Sequence, residues 1–129
     1  MIKAEDLRIG DIVRYGKNTI TILAVHANGG VCFTDGKDQL YAEDVLLEPI
    51  LLTPEILEKN GWKKRTEGWY FMMISKYMYL SVEFGYENGI RVFLKRATDG
   101  LYVKLNTANN VHELQHILWA LGKDANLKI

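Results

Sequence analysis

His112-Glu113-Leu114-Gln115-His116 is the stretch of this 129-residue chain whose residue types and spacing come nearest to a known catalytic pattern. Two imidazoles at i and i+4 share a helix face and can reach one Zn²⁺, and a glutamate between them can deprotonate a metal-bound water. On that reading His112 and His116 are ligands and Glu113 is the general base. A zinc hydrolase of this kind needs a third protein ligand, which in the families carrying the pattern lies downstream. Only 13 residues follow His116; they hold no His and no Glu, and their one carboxylate, Asp124, falls just past the expected helix end. The longer form of the pattern fails too, because Trp119 stands where Gly is required and Gly122 where the third His is required. At 100° per residue the two His point roughly opposite to the apolar stripe Val111, Leu114, Ile117, Leu118 and Leu121. They are expected to face solvent unless residues 7–50 fold over them. The segment therefore reads as a helix flank carrying two His, with metal-dependent hydrolysis the lesser alternative, and no cofactor is implied.

A second set of residues is defined by alternation. Tyr77, Tyr79, Phe93 and Tyr102 fall with Arg91, Lys95 and Lys104 on one face of a predicted antiparallel meander. Flat rings beside cations suit stacking on single-stranded nucleic acid or gripping an anionic aromatic ligand. The same residues are also ordinary occupants of a strand surface, since aromatics have high strand propensity. Cys32, between Val31 and Phe33, is the only cysteine. It excludes an intrachain disulfide and reads as a small core residue, with nothing nearby in sequence to lower its pKa. Lys63-Lys64-Arg65 reads as a solvated loop.

The elements that must position these residues divide at Pro49-Ile50-Leu51-Leu52-Thr53-Pro54, where two prolines bracket an extended apolar link. Residues 1–50 read as a small β subdomain. Its short strands are Asp11–Tyr15, Thr19–His26, Val31–Thr34 and Gln39–Tyr41, with turns at Gly16-Lys17-Asn18, Asn28-Gly29-Gly30 and Asp35-Gly36-Lys37-Asp38. Leu7-Arg8-Ile9-Gly10-Asp11-Ile12-Val13 resembles the opening of small barrels of the Src-homology-3 (SH3) or Tudor kind, in which Gly-Asp turns the chain into the first strand. Residues 51–129 read as an α+β subdomain. Thr53, Pro54 and Glu55 form a helix start and Gly61 the stop, with Trp62 folding back on Ile56 and Leu57. A four-stranded antiparallel meander follows, near Trp69–Ile74, Tyr77–Phe84, Ile90–Lys95 and Leu101–Leu105, turning at Glu87-Asn88-Gly89 and Thr98-Asp99-Gly100. Its apolar face, including Met78, Leu80, Val82, Val92, Leu94 and Val103, needs a cover, and the helix from Val111 to Leu121 supplies it. Asn126–Ile129 is expected to add an edge strand. The fold class is α+β: SH3-like strands, then a meander packed by one or two short helices.

Sixteen basic and sixteen acidic residues leave no net charge to draw the whole protein to nucleic acid or to acidic lipid. The balance is uneven along the chain: five basic and eight acidic groups precede residue 51, and eleven and eight follow it. No stretch approaches the roughly 20 apolar residues of a membrane span, and no leader is evident, so a cytoplasmic protein without membrane association is expected. Exposed edge strands offer a surface on which a homodimer could form.

Leu7-Arg8-Ile9-Gly10, the run from Leu52 to Trp62, and Val111-His112-Glu113-Leu114-Gln115-His116 together resemble a group of short uncharacterised proteins, a domain of unknown function, in bacterial genomes, prophages and phages. The resemblance spans nearly the full length. It implies no activity and carries over no catalytic residue. In that group the position matching Glu113 is as readily Gln and the one matching His116 is often not His, which implies helix packing rather than metal binding. The expected function is that of a non-catalytic binding or adaptor module of a mobile element, with a protein or nucleic-acid partner.

Overall fold

The computed structural model describes residues 2–34 and 36–129; the turn expected at Asp35–Asp38 begins on Asp35, which lies outside the described residues. Two antiparallel sheets and two short helices make an α+β chain. The first sheet contains β1 (Ile12–Tyr15), β2 (Asn18–Val25), β3 (Gly30–Thr34), β4 (Gln39–Glu43) and β5 (Leu47–Glu48), in the order β4-β3-β2-β1-β5. β1 to β4 pair antiparallel in sequence order, and after a 3-10 turn at Asp44–Leu46 the chain returns to pair β5 with β1. β4 and β5 remain as edges, so the sheet is not closed. Alternation sends Val13, Ile20, Ile22, Val31, Phe33, Ala42 and Leu47 to one side, where Ile2 and Leu7 join them in a first core.

Thr53 caps α1 (Pro54–Lys59), its hydroxyl accepting from the Ile56 amide at 3.3 Å, and Gly61 takes the left-handed φ of +85° that lets Trp62 bury against the helix. The second sheet follows with β6 (Lys63–Thr66), β7 (Trp69–Met73), β8 (Met78–Glu83), β9 (Arg91–Arg96) and β10 (Tyr102–Thr107), in sequence order across the sheet. It has five strands rather than the four expected. Lys63-Lys64-Arg65 is an edge strand paired with β7, not a loop; its charges suit an exposed edge, which is why they masked it. Beyond β10, α2 (Val111–Ala120) buries Val111, Leu114 and Leu118 on the same sheet face as Leu57 of α1. Both helices thus cover the face carrying Tyr70, Leu80, Val82 and Val92 and leave the other bare. Asn126–Ile129 is not a strand. Asn60 holds that tail by its backbone, donating to the Lys128 carbonyl at 2.7 Å and accepting from the Lys128 amide at 2.7 Å, while Ala125 and Leu127 bury in the second core.

β1 belongs to both cores. Val13 points into the first, and its neighbour Ile12 points the opposite way into the second, against α2. No helix is long and apolar enough to cross a membrane among the described residues.

Candidate functional site

The His112–His116 segment lies at the seam between the two halves. Glu113 occupies the third position of α2, and its Oε1 accepts from the Asn110 amide at 3.1 Å and from Asn110 Nδ2 at 2.8 Å. It closes the helix start as a capping glutamate does. His116 Nε2 meets both carboxylate oxygens of Asp11, at 2.9 and 2.7 Å. Asp11 is fully buried and also accepts from the Arg8 amide at 2.8 Å. Stacked 6.0 Å from His116 is the ring of Trp119, which in turn lies so close to Gly10 that a Cβ there would approach it to 2.7 Å. His112 is buried, and its Nδ1 has no hydrogen-bond partner among the described residues. Burial pushes its pKa below the ordinary imidazole value, against a weaker upward pull from Asp11 and Glu113.

The flank expected to face solvent therefore faces the N-terminal half, because the Gly10–Asp11 turn folds over it. A cavity of about 510 Å³ opens beside it, lined by Glu5, Asp6, Arg8, His112, Glu113 and His116. The far nitrogen of His116 is engaged by Asp11, the Glu113 carboxylate is turned to the cap, and no three His, Cys, Asp or Glu side chains among the described residues are placed to hold a metal. The residue that organises the seam is Gln115, which the sequence reading passed over. Fully buried, it accepts from the Ile12 amide at 2.9 Å and donates to the carbonyls of Gly10 at 3.0 Å and Ala125 at 2.8 Å. Its position, four after Val111 and three before Leu118, marked it as a polar group on the buried stripe.

The bare face of the second sheet is ordered by strand register, since directly paired residues point to the same side. One row runs Met73, Tyr79, Lys95, Tyr102; the next Lys63, Phe71, Ser81, Phe93, Lys104; the third Trp69, Glu83, Arg91, Thr107. In the third row Glu83, only 2% exposed, accepts from Ser81 Oγ at 2.7 Å, Lys95 Nζ at 2.7 Å and the Tyr86 hydroxyl at 3.3 Å. The Lys95 ammonium stands 5.1 Å from the ring centre of Trp69, 5.4 Å from Phe93 and 5.8 Å from Tyr102, within cation–π range of all three. Arg91 lies 3.9 Å over the Tyr86 ring, and Arg65 donates to the Tyr79 hydroxyl at 2.9 Å.

Of the residues chosen from sequence, Tyr79, Arg91, Phe93, Lys95, Tyr102 and Lys104 share this face. Tyr77 stands just before β8, exposed and beneath the Lys76 ammonium. Phe93 is buried under its neighbours, and Lys95 is tied to Glu83, so neither is free in the way the alternation pattern suggested. Trp69 and Phe71 were missed although their spacing, four and two before Met73, puts them on this face. Lys63 and Arg65 were missed with the strand that carries them.

Cys32 has a neighbour that sequence did not show. The β2–β3 hairpin brings His26 Nε2 to 3.1 Å from its Sγ, with the Tyr41 ring 5.7 Å from that imidazole. Comparisons with family models, curated proteins and solved structures find no match to the chain.

Proposed function

We propose that the chain is a non-catalytic binding module that takes an extended anionic partner on the bare face of its second sheet. The observation that carries this is the composition of that face: Lys63, Arg65, Arg91, Lys95 and Lys104 stand among Trp69, Phe71, Tyr79, Phe93 and Tyr102, with Glu83 as the one carboxylate in its three rows. Trp69, Tyr102, Lys63, Arg65 and Lys104 are exposed there, and patches of exposed rings and cations mark contact surfaces. The geometry of the His112–His116 segment supports the same reading from the other side, because Glu113, Gln115 and His116 each have a structural task. We take the first sheet as SH3-like on the strength of its meander order, the 3-10 turn before β5 and the return of β5 to β1. An accessory role in a mobile element fits the resemblance noted above.

Amide mapping by NMR tests the surface. Titrated with a twelve-nucleotide oligothymidylate or a twelve-residue polyglutamate, the labelled protein is expected to shift amides of β7 to β10 and leave β2 and β3 still. Shifts centred on His112 and Arg8, or none with either chain, overturn the reading.

A further inference from the structure

We infer that the anionic chain is single-stranded nucleic acid, with bases stacked on Trp69 and Tyr102 and phosphates drawn to Lys63, Arg65 and Lys104; this rests on the bare face being the contact surface. Two features of that face select bases over carboxylates. Tyr102 is 66% exposed and Trp69 36%. An aromatic face is electron-rich, so it offers an acidic side chain nothing, whereas it stacks on any base. The two rings also share one cation. Lys95 Nζ stands 5.1 Å from the centre of Trp69 and 5.8 Å from that of Tyr102, so the two centres lie no more than about 11 Å apart, within reach of neighbouring bases of one strand. Sheet surfaces that read RNA stack two or three bases in just this way.

The buried Glu83 makes the arrangement permanent. By neutralising Lys95 it turns that side chain from a phosphate ligand into a spacer between rings. Phosphate attraction then falls to the cations at the rim. Lys63 and Lys104 end the central row on the two edge strands, and neither forms an ion pair among the described residues. Among the described residues Arg65 is engaged only by a neutral hydroxyl. Four strand spacings of about 4.8 Å separate Lys63 from Lys104, so the rim cations bracket a segment about 19 Å wide. Ring stacking and phosphate attraction do not distinguish one base from another, so recognition should tolerate any sequence.

Fluorescence polarisation separates the possibilities. The probes are labelled oligothymidylate, an abasic strand with the same number of phosphates, and polyglutamate of matched length. Oligothymidylate is expected to bind at least tenfold more tightly than either of the others. Its affinity should fall with salt with a log–log slope of about −2, from three cations at about 0.7 each for a single strand. Trp69→Ala and Tyr102→Ala should each weaken it about tenfold or more, Tyr102→Phe should not, and Lys104→Gln should flatten the slope by about 0.7. Near-ultraviolet circular dichroism of each variant shows whether it folds, and Tyr102→Phe, which keeps the ring, decides the matter if Tyr102→Ala does not. Equal affinity for the abasic strand or polyglutamate overturns base stacking while leaving an anion-binding face. Binding to none of the three overturns both.

Discussion

Gln115 is the side chain whose loss should be felt most at the seam. One amide serves three backbone groups, the Ile12 N–H and the carbonyls of Gly10 and Ala125, from two distant parts of the chain. Gln115→Leu fills much the same space but strands those groups, at a cost of about 1–3 kcal/mol for each one that water cannot reach. A loss of about 3 kcal/mol in urea unfolding is expected; a loss under about 1 kcal/mol would show that the seam closes by apolar packing alone. His112 adds a pH dependence whose sign is fixed by its depressed pKa. Between the folded pKa and the unfolded value of about 6.5 the unfolded chain binds more protons, so stability rises with pH. The contribution is complete above about pH 6.5 and is lost as pH falls through that value toward the folded pKa. The groups around the ring are Asp6, Asp11, Glu113 and His116, and the positive charge of a protonated His116 acts in the same direction as burial. His112→Leu should flatten this part of the stability profile between pH 7.5 and 5, and an unchanged profile would assign the dependence to other groups.

The elements explain why α2 carries a catalytic-looking sequence without its chemistry. Glu113 sits where a helix start wants an acceptor for the Asn110 amide, a task that Gln performs as well. Glu113→Gln is therefore expected to change stability by less than about 0.5 kcal/mol, whereas Glu113→Ala should cost about 1 kcal/mol; thermal unfolding of the two variants decides it, and equal losses would remove the capping role. Much of this layer was legible beforehand. Thr53-Pro54-Glu55, the period-two runs of the meander and the stripe Val111, Leu114, Leu118 gave α1, β7 to β10 and α2, because each rests on local propensity and one buried face. What was not legible depended on partners distant in sequence. β6 looks like a loop because all of its side chains are exposed, and only its ladder to β7 makes it a strand. The orientation of His112 and His116 depends on Gly10 and Asp11, a hundred residues away. Glu83 as the buried anchor of Lys95 requires the register of β8 against β9, which alternation alone does not supply.

At the scale of the whole molecule, the seam and the bare face lie on opposite sides of the second sheet, so stability and binding should be separable. The first core consists of short strands from about 45 residues, near the size at which a single core becomes marginal. Its attachments to the larger core are Ile12, the Gln115 amide, the Asp11–His116 pair and the close approach of Gly10 to Trp119. Removing His116 leaves the buried Asp11 carboxylate with the Arg8 amide as its remaining partner, a heavier cost than removing both members of the pair. Combining Gln115→Leu with His116→Ala should therefore let the first sheet open without the second. Hydrogen exchange reads this directly: in the unaltered chain β1 to β3 and β7 to β9 should exchange with one shared free energy, and in the double variant protection of β1 to β3 should drop well below that of β8 and β9. Because Trp69, Tyr102 and Lys104 stand on the far side of β7 and β10 from α2, affinity for oligothymidylate should stay within about twofold of the unaltered chain, provided that the second sheet stays folded. Uniform loss of protection in both sheets would mean that the two cores unfold as one unit, with the seam a part of that unit rather than a joint between two.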